Sequence, residues 1–169
     1  IHARMDAAAQ PGPLARRLAA EAVTGKSNEL DRVRALRDLT ALRLRDAGPT
    51  FTELPLSTLT PADTTLEDGY GHDADRAIAL AALLRAAGFQ PEFILAAADP
   101  ECDDVLAPFR RQAEPGFFFT APLVRVRAGG ETLVLNDTGQ YAELGATPPD
   151  GWPAVELPSG RSGALAAAV

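Results

Sequence analysis

Residues 71–89, GHDADRAIALAALLRAAGF, contain the pattern that decides the fold of this chain. Apolar residues recur there with the period of an α-helix, which predicts a helix over residues 73–87. Its wide apolar stripe comprises Ala77, Leu80, Ala81, Leu84 and Ala87, extended by Ile78 and Leu83. Gly88 is typical of the left-handed residue that ends a helix, and Phe89 can pack back on the last turn. A helix this apolar is expected at the centre of a domain.

Two helices are predicted before this central helix. A proline at the first position suits a helix over residues 13–23, because its missing N–H is not needed there. Asn28 is a typical N-cap for a second helix that runs to about residue 45, with acidic residues in its first turn. The apolar stripe of this second helix comprises Leu30, Val33, Leu36, Leu39 and Leu42. A short strand is expected over residues 50–56 and a loop over residues 59–71.

An antiparallel sheet is predicted after the central helix. Strands are expected over residues 93–97, 117–127 and 131–135, with a polar loop over residues 99–116. The glycine pair at positions 129 and 130 is a good hairpin signal between the last two strands. The sequence therefore predicts an α+β domain with helices first, then a central helix, then an antiparallel sheet.

The chain length suits one domain with a full hydrophobic core, since it has 169 residues. We expect residues 1–13 to be a loose leader, residues 14–140 to form the core, and residues 141–169 to be a tail packed on the core or trailing from it. The chain begins at Ile1 and shows no signal peptide. We therefore expect a segment of a longer or processed protein, with any targeting signal outside it.

Charge and composition exclude several classes of function. The net charge of −7 opposes contact with phosphate backbones, so nucleic acid is not an expected partner. No apolar run approaches the roughly 18 residues of a membrane span. The single cysteine, Cys102, excludes an internal disulfide and a multi-cysteine zinc site. The two histidines lie far apart in sequence, so we expect neither a metal nor another cofactor.

The stretch around the central helix resembles the core motif of bacterial transglutaminase-like domains, which belong to the papain-like cysteine hydrolase superfamily. In that family a G-x-C-x-D-x-A stretch opens a helix that ends in ALLRAAGI or a similar sequence. This chain matches the motif at Gly71, Asp75, Ala77 and residues 82–88. The resemblance implies a papain-like core in which the central helix packs on an antiparallel sheet behind N-terminal helices.

The resemblance continues beyond the helix and covers most of residues 14–140. The family carries its histidine at the start of a strand and its acid about fifteen residues later, in an L-D-x-T stretch. Residues 135–138 read LNDT here, after the same predicted hairpin. The helix predicted over residues 28–45 also matches one that precedes the motif in the family.

The catalytic positions depart from the family pattern. In the family a cysteine stands at the N-terminus of the central helix, where the helix lowers the thiol pKa and a histidine completes the activation. The resemblance places that cysteine position on Asp73 and the histidine position on Ala121. The acid position falls on Asn136, or on Asp137 if the register slips by one. Asn136 could orient an imidazole, but no imidazole stands at the preceding position.

The resemblance therefore implies a domain that has lost its triad and leans away from enzymatic activity. We expect a non-catalytic protein-interaction, peptide-binding or structural module of a larger bacterial protein. The alternative is a divergent hydrolase or acyltransferase that uses Asp73 or another unconventional site. Relatives of this domain type are often exported, so an extracytoplasmic or periplasmic location is expected.

The acidic residues near the helix start have two interpretations. Asp73 could act as a nucleophile or as a general base, but a helix N-cap with a lowered pKa is favoured. His72, Asp73 and Asp75 could bind a cation with Glu67 and Asp68, but their spacing is not that of an EF-hand. A solvated acidic loop is favoured, with His72 and Asp75 as candidates to line the former cleft.

Other candidate residues are weighed in the same way. Phe119, within the aromatic run at residues 117–119, and Asp137 are candidate cleft-lining residues, although core packing is favoured for the aromatic run. Cys102 could be a relocated nucleophile, but its acidic neighbours raise a thiol pKa, so an inert thiol is favoured. Trp152 is expected to pack the tail onto the body.

Overall fold

The computed structural model of the chain describes residues 1–53, 55, 59–97, 119–135, 141–146, 153–157 and 162–164. Its helices are α1 (His2–Ala8), α2 (Pro13–Val23), α3 (Glu29–Arg43), α4 (Ala62–Asp68) and α5 (Asp73–Ala86). Its strands are β1 (Arg45–Asp46), β2 (Tyr70–Gly71), β3 (Glu92–Ala97), β4 (Phe119–Ala128), β5 (Glu131–Leu135), β6 (Pro153–Glu156) and β7 (Ser162–Ala164).

The main sheet is antiparallel, and its described strands follow the order β5–β4–β3–β6–β7. The tight turn between β4 and β5 uses Gly129 and Gly130, whose φ angles of 60° and 84° are left-handed. Two consecutive residues of this kind suit the hairpin turn whose twist matches the strands. The predicted antiparallel sheet and hairpin are confirmed. A separate pair, β1 and β2, is parallel.

The central helix α5 is buried on all sides. All eleven residues from Ala74 to Leu84 are buried, and the helix contacts α2, α3, α4 and β4. Five residues that periodicity places in the core are each at most 2% exposed: Leu80, Leu84, Ile94, Val124 and Leu135. The prediction of a central helix packed on an antiparallel sheet is confirmed, and the fold class is α+β.

Two helix ends follow their sequence signals. Gly88 has a φ of 92°, and the following Phe89 N–H donates to the Leu84 carbonyl at 3.0 Å. At the start of α3, Asn28 Oδ1 accepts a hydrogen bond from the Asp31 N–H at 2.7 Å. Both features depend only on neighbouring residues, which is why the local sequence predicts them.

The expected loose leader is wrong for residues 2–8, which form α1. Met5 of this helix is fully buried. The Arg85 guanidinium of α5 donates to the carbonyls of Asp6 and Ala9 at 3.1 and 3.2 Å. A single large apolar residue among alanines and polar residues leaves no clear periodic pattern, so the sequence alone did not indicate a helix that α5 stabilises.

The segment between α3 and α5 also differs from expectation. The strand predicted over residues 50–56 is replaced by a 3₁₀ turn at Phe51–Glu53, and the loop predicted over residues 59–71 contains α4 and β2. Asp63 of α4 accepts hydrogen bonds from the Leu14 and Ala15 N–H groups at 2.8 and 3.0 Å. These two hydrogen bonds join residues that are 49 and 48 positions apart in the sequence, and they hold α4 in place. Local helix propensity cannot reveal contacts of this range.

The second predicted helix ends earlier than expected, at Arg43. Leu42, assigned to its apolar stripe, is 70% exposed. Leu44, just beyond the helix, is 2% exposed and leads into β1. The helix therefore ends before Leu42 can join the buried apolar stripe, because Arg45 pairs with Tyr70 in the small parallel sheet.

Leu84→Ala should lower the free energy of unfolding by about 2–5 kcal/mol, the range for removing a large buried side chain. Leu42→Ala is the matched control, and it should change stability by less than about 0.5 kcal/mol because its side chain is exposed. Urea denaturation followed by circular dichroism would measure both. Equal losses in the two variants would show that α5 is not the core helix.

Candidate functional site

The N-terminus of α5 carries the residues that the sequence singles out. His72 is its N-cap, and Nδ1 of this residue accepts hydrogen bonds from the Ala74 and Asp75 N–H groups at 3.2 and 3.4 Å. Asp73 is the first helical residue, and its Oδ1 accepts from the Ala74 N–H at 2.8 Å. The expectation that Asp73 itself is the N-cap is therefore wrong by one residue.

His72 lies between two carboxylates. Its Nδ1 is 3.5 Å from Asp73 Oδ1, and its Nε2 is 3.3 Å from Asp75 Oδ2. The side chains of His72 and Asp75 are 7% and 6% exposed, whereas that of Asp73 is 32% exposed. The cluster therefore runs from a partly exposed carboxylate through a buried imidazole to a buried carboxylate.

Asp75 joins the cluster to the chain before α4. Its Oδ1 accepts a hydrogen bond from the Thr60 N–H at 2.7 Å. Gly71 allows this approach, because a Cβ there would lie only 2.9 Å from Asp75 Cβ and 3.1 Å from Thr65 Cγ2. The absence of a side chain at Gly71 thus leaves room for the Asp75 side chain.

The charges around His72 favour its protonated form. The hydrogen bond to Asp73 raises the pKa of His72 most strongly, while burial of the ring lowers it. The charges of Asp75, Asp73 and Asp46 add smaller increases. Burial also raises the pKa of Asp75, opposed by the Thr60 N–H and by the charge of His72.

Nδ1 of His72 therefore has two roles that need different protonation states. As a neutral nitrogen it accepts the helix N–H groups, and as a protonated nitrogen it donates to Asp73. The cap and the ion pair compete for one atom. The acid–base state of His72 thus affects how the start of α5 is held.

Ala121 is not part of this cluster. It lies opposite Ala96 and packs against Ile94 and Leu123, on the face of the sheet that points away from α5. The α5 face of the sheet carries Phe93, Leu95 and Val124, among other residues. Neighbouring Pro122 pairs with Leu95, so alternation along the strand places Pro122 on the α5 face. The expected convergence of Ala121 with Asp73 is wrong.

Phe119 lies in the core and is 4% exposed. It is opposite Ala97 and belongs to the same cluster of buried residues as α5. Core packing was the favoured interpretation of this aromatic run. The other predicted site residues lie outside the described residues: Cys102, Asn136, Asp137 and Trp152, as does the rest of the aromatic run at positions 117 and 118.

Within the described residues, no group of three histidine, cysteine, aspartate or glutamate side chains is placed to hold a metal ion. Glu67 and Asp68, the further candidate ligands of the sequence analysis, lie at the end of α4. The same part of the chain contains no helix that is both long and apolar enough to cross a membrane.

Solved structures of proposed proteases share this fold. A proposed protease from Parabacteroides distasonis has a TM-score of 0.69 and 18% identity, over 96% of this chain and 30% of that chain. A proposed cysteine protease from Cytophaga hutchinsonii has a TM-score of 0.60 and 15% identity, over 98% of this chain and 52% of that one. This chain thus spans 30% of the first structure's chain and 52% of the second's, and the likeness shows the fold alone. No family model and no curated protein matches the sequence.

The sequence motif indicated that Asp73 and Asp75 lie at the candidate site. It did not indicate that His72 is the N-cap of α5. A histidine directly before an acidic first turn is a signal for a cap that titrates, and it was available in the sequence. The effect of the Asp46 charge on the pKa of His72 could not be predicted from the sequence. Asp46 is near His72 because β1 pairs with β2, which places Asp46 opposite Gly71.

His72→Asn should remove a pH dependence of stability. The folded pKa of His72 is raised above 6.5, so the folded state binds this proton more tightly than the unfolded state. The resulting stabilisation is fully present below about pH 6.5 and is lost as the pH rises through the folded pKa. Asparagine keeps an oxygen that can cap α5 but does not titrate.

Urea midpoints from pH 5.5 to 8.5 would measure this loss. The wild type should become less stable over the upper part of that range, and His72→Asn should show a flatter profile. His2→Asn removes the other histidine and should keep the wild-type slope. Parallel profiles for the wild type and His72→Asn would contradict the assignment.

Proposed function

We propose that this chain is a non-catalytic domain with a papain-like, transglutaminase-like core, which serves as a protein-interaction, peptide-binding or structural module of a larger bacterial protein. One observation carries the proposal. The N–H groups at the start of α5, which would stabilise a catalytic thiolate, are occupied by His72 and Asp73 of the chain itself.

The residue at the nucleophile position supports this proposal. Acyl transfer from an amide through a cysteine gives a thioester, whereas attack by Asp73 would give an anhydride, which is far harder to form from an amide. The helix N-terminus stabilises the Asp73 anion as it would a thiolate. Its Oδ1 accepts the Ala74 N–H, so the carboxylate acts within the helix start.

The facing strand supports it as well. Ala121 lies on the face of the sheet away from α5, and the adjacent position on the α5 face is the buried Pro122. Neither side chain can accept a proton. A positioned general base is worth roughly 10²–10⁴ in rate, so its loss at this strand removes a large part of the catalysis.

The polar cluster of His72, Asp73 and Asp75 also has a structural role. Asp75 holds the chain before α4 through the Thr60 N–H, and His72 caps the most buried helix. These contacts explain how the motif could persist after its chemistry was lost. The solved structures with this fold are longer chains, which is consistent with a role as one unit among others.

An extracytoplasmic location is part of the same proposal, and it rests on the resemblance to transglutaminase-like domains. Fractionation of the native full-length protein is the direct measurement. Recovery in the cytoplasmic fraction would remove this part and leave the non-catalytic proposal unchanged.

A second candidate function is hydrolysis with Asp73 as general base for water. It is favoured by the 32% exposure of the Asp73 side chain and by the buried imidazole beside it. His72 could share the proton taken up by Asp73, since their atoms are 3.5 Å apart. This candidate predicts turnover that depends on Asp73.

Incubation with a peptide library and an amine donor separates the two candidates. Mass spectrometry should find neither cleavage nor amine incorporation by the wild type above the level of Asp73→Asn. The asparagine keeps an oxygen for the Ala74 N–H but removes the negative charge. Wild-type turnover that disappears in Asp73→Asn would establish the hydrolase instead.

Asp73→Cys should create a thiol with a lowered pKa. The variant is made with Cys102→Ser, so that it has a single cysteine. The helix N-terminus and neighbouring His72 should bring the pKa below the roughly 8.5 of a free thiol. The rate of iodoacetamide alkylation against pH measures it.

The position of the activating imidazole can be tested in the same background. Adding His72→Asn should return the thiol pKa toward its ordinary value. Adding Ala121→His should leave it unchanged, because that side chain points away from α5. A large shift caused by the histidine at position 121 would show that the sheet face is misassigned.

A further inference from the structure

A polar groove lies at the opposite end of α5 from His72. Because α5 has 14 residues, the two sites are about 21 Å apart along the helix. The groove has a volume of about 790 Å³, within the roughly 300–1,000 Å³ of ordinary ligand sites. Its polar lining comprises Glu29, Gln90, Glu92, Arg125, Arg127 and Thr132.

Unequal strand lengths create the groove. β3 begins at Glu92, opposite Arg125, whereas β4 continues to Ala128 and, among the described strands, pairs there only with β5. On the β3 side, the chain leaves the sheet at Pro91 and turns toward the end of α5. The last three residues of β4 therefore have an edge that no strand in the described ranges covers.

The walls of the groove are held in place. Glu29 Oε2 accepts a hydrogen bond from the Gly129 N–H at 2.7 Å, which ties the hairpin to the start of α3. The Arg32 guanidinium donates to the Ala87 carbonyl at 2.6 Å and stacks 5.2 Å from the centre of the Phe89 ring. The open edge thus faces a preformed space.

The backbone of Arg127 points into this space. In a two-residue hairpin, Ala128 and Glu131 form the hydrogen-bonded pair next to the turn. Alternation along the strand then directs the N–H and C=O groups of Arg127 away from β5, toward the groove. No described residue supplies a backbone partner for them.

The side chain of Arg127 is also available. It is exposed, lies on the same face as Arg125, and has no ion-pair or hydrogen-bond partner among the described residues. Arg125 is engaged by Glu92 across the strands, with nitrogen–oxygen distances of 2.6 and 3.0 Å. Within the described part of the chain, Arg127 is therefore a cation without a counter-charge beside an unpaired strand edge, in a chain with a net charge of −7.

We infer that this groove binds the C-terminus of an extended peptide. The peptide would add to the open edge of β4 as a short antiparallel strand and run in the direction of β3. It must end opposite Arg127, because Pro91 and Glu92 occupy the next places. Its terminal carboxylate then meets the Arg127 guanidinium, much as Glu92 meets Arg125. Strand addition and carboxylate capture are both common modes of peptide recognition.

This site goes beyond the proposed function, because it names a surface and a ligand class away from the α5 N-terminus. Its failure and that of the non-catalytic proposal are distinguishable. Peptide-binding measurements at Arg127 do not depend on Asp73, and the turnover assay does not depend on the groove.

Fluorescence anisotropy with the probe fluorescein-Gly-Ser-Thr-Val-Thr tests the inference. The free-acid peptide should bind at least tenfold more tightly than the same peptide with a C-terminal amide. Arg127→Gln should remove this difference. The matched control is Arg17→Gln, since Arg17 is an exposed arginine on α2, and it should leave binding unchanged.

Nuclear magnetic resonance tests the strand pairing. In ¹⁵N-labelled protein, the amide of Arg127 should shift on titration with the free-acid peptide, and a probe N-methylated near its C-terminus should bind at least tenfold more weakly. Sodium acetate should not compete at the peptide's own concentrations.

Several results would overturn the inference. These are equal affinity for acid and amide, unchanged binding by Arg127→Gln, or the absence of binding. Equal binding of an amidated peptide with an internal glutamate would overturn the requirement for a C-terminus. Displacement by equimolar acetate would reduce the site to a simple anion site. Self-association in sedimentation that depends on Arg127 would make a second copy the occupant.

Discussion

The burial of α5 is the constraint on which the rest of the structure depends. A helix with eleven consecutive buried residues must be covered on all sides, and an amphipathic partner on one side would not suffice. The sheet covers one side, while α2, α3 and α4 cover others. The short helix α1 completes the cover near Arg85, and for this reason residues outside the recognisable motif are folded.

Full burial makes the two ends of α5 special, because its backbone groups must be satisfied there. At the C-terminus Gly88 and Phe89 close the last turn by local geometry. At the N-terminus, His72 Nδ1 accepts the N–H groups of Ala74 and Asp75, and Asp73 Oδ1 also accepts that of Ala74. A catalytic cysteine at the same place would need those N–H groups for its own charge. Capping and catalysis would therefore compete for the same donors, and in this structure the side chains of His72 and Asp73 accept them.

The sheet separates two environments along α5. Near the helix N-terminus, β3 and β4 pair along the whole of β3 with one register shift between Ala96 and Ala97, and the strand face is apolar. Near the helix C-terminus, β4 extends beyond the first residue of β3. The exposed face there carries the charged residues Glu92, Arg125 and Arg127. The N-terminal end of α5 is thus occupied by the His72 and Asp73 side chains, while at the opposite end Arg127 has backbone groups that no described residue pairs. The proposed interaction site follows from this difference in strand length.

The sequence alone determined the features that depend on near neighbours. The period of the apolar residues in α5, the glycines at positions 88, 129 and 130, and the Asn28 cap all act within a few residues. They were enough for the central helix, the hairpin, the antiparallel sheet and the α+β class. The motif also indicated the location of the candidate site, including Asp73 and Asp75.

Tertiary structure decided what depends on residues far apart in the chain. Asp63 binds the N–H groups of α2, and Arg85 holds α1, so neither short helix was visible in local periodicity. The orientation of Ala121 follows from the pairing of β3 with β4, since a shift of one residue moves a side chain to the other face. Spacing from a distant motif does not determine that register. Hydrogen bonds and strand pairing between distant segments do, and they exist only once the chain has folded around α5.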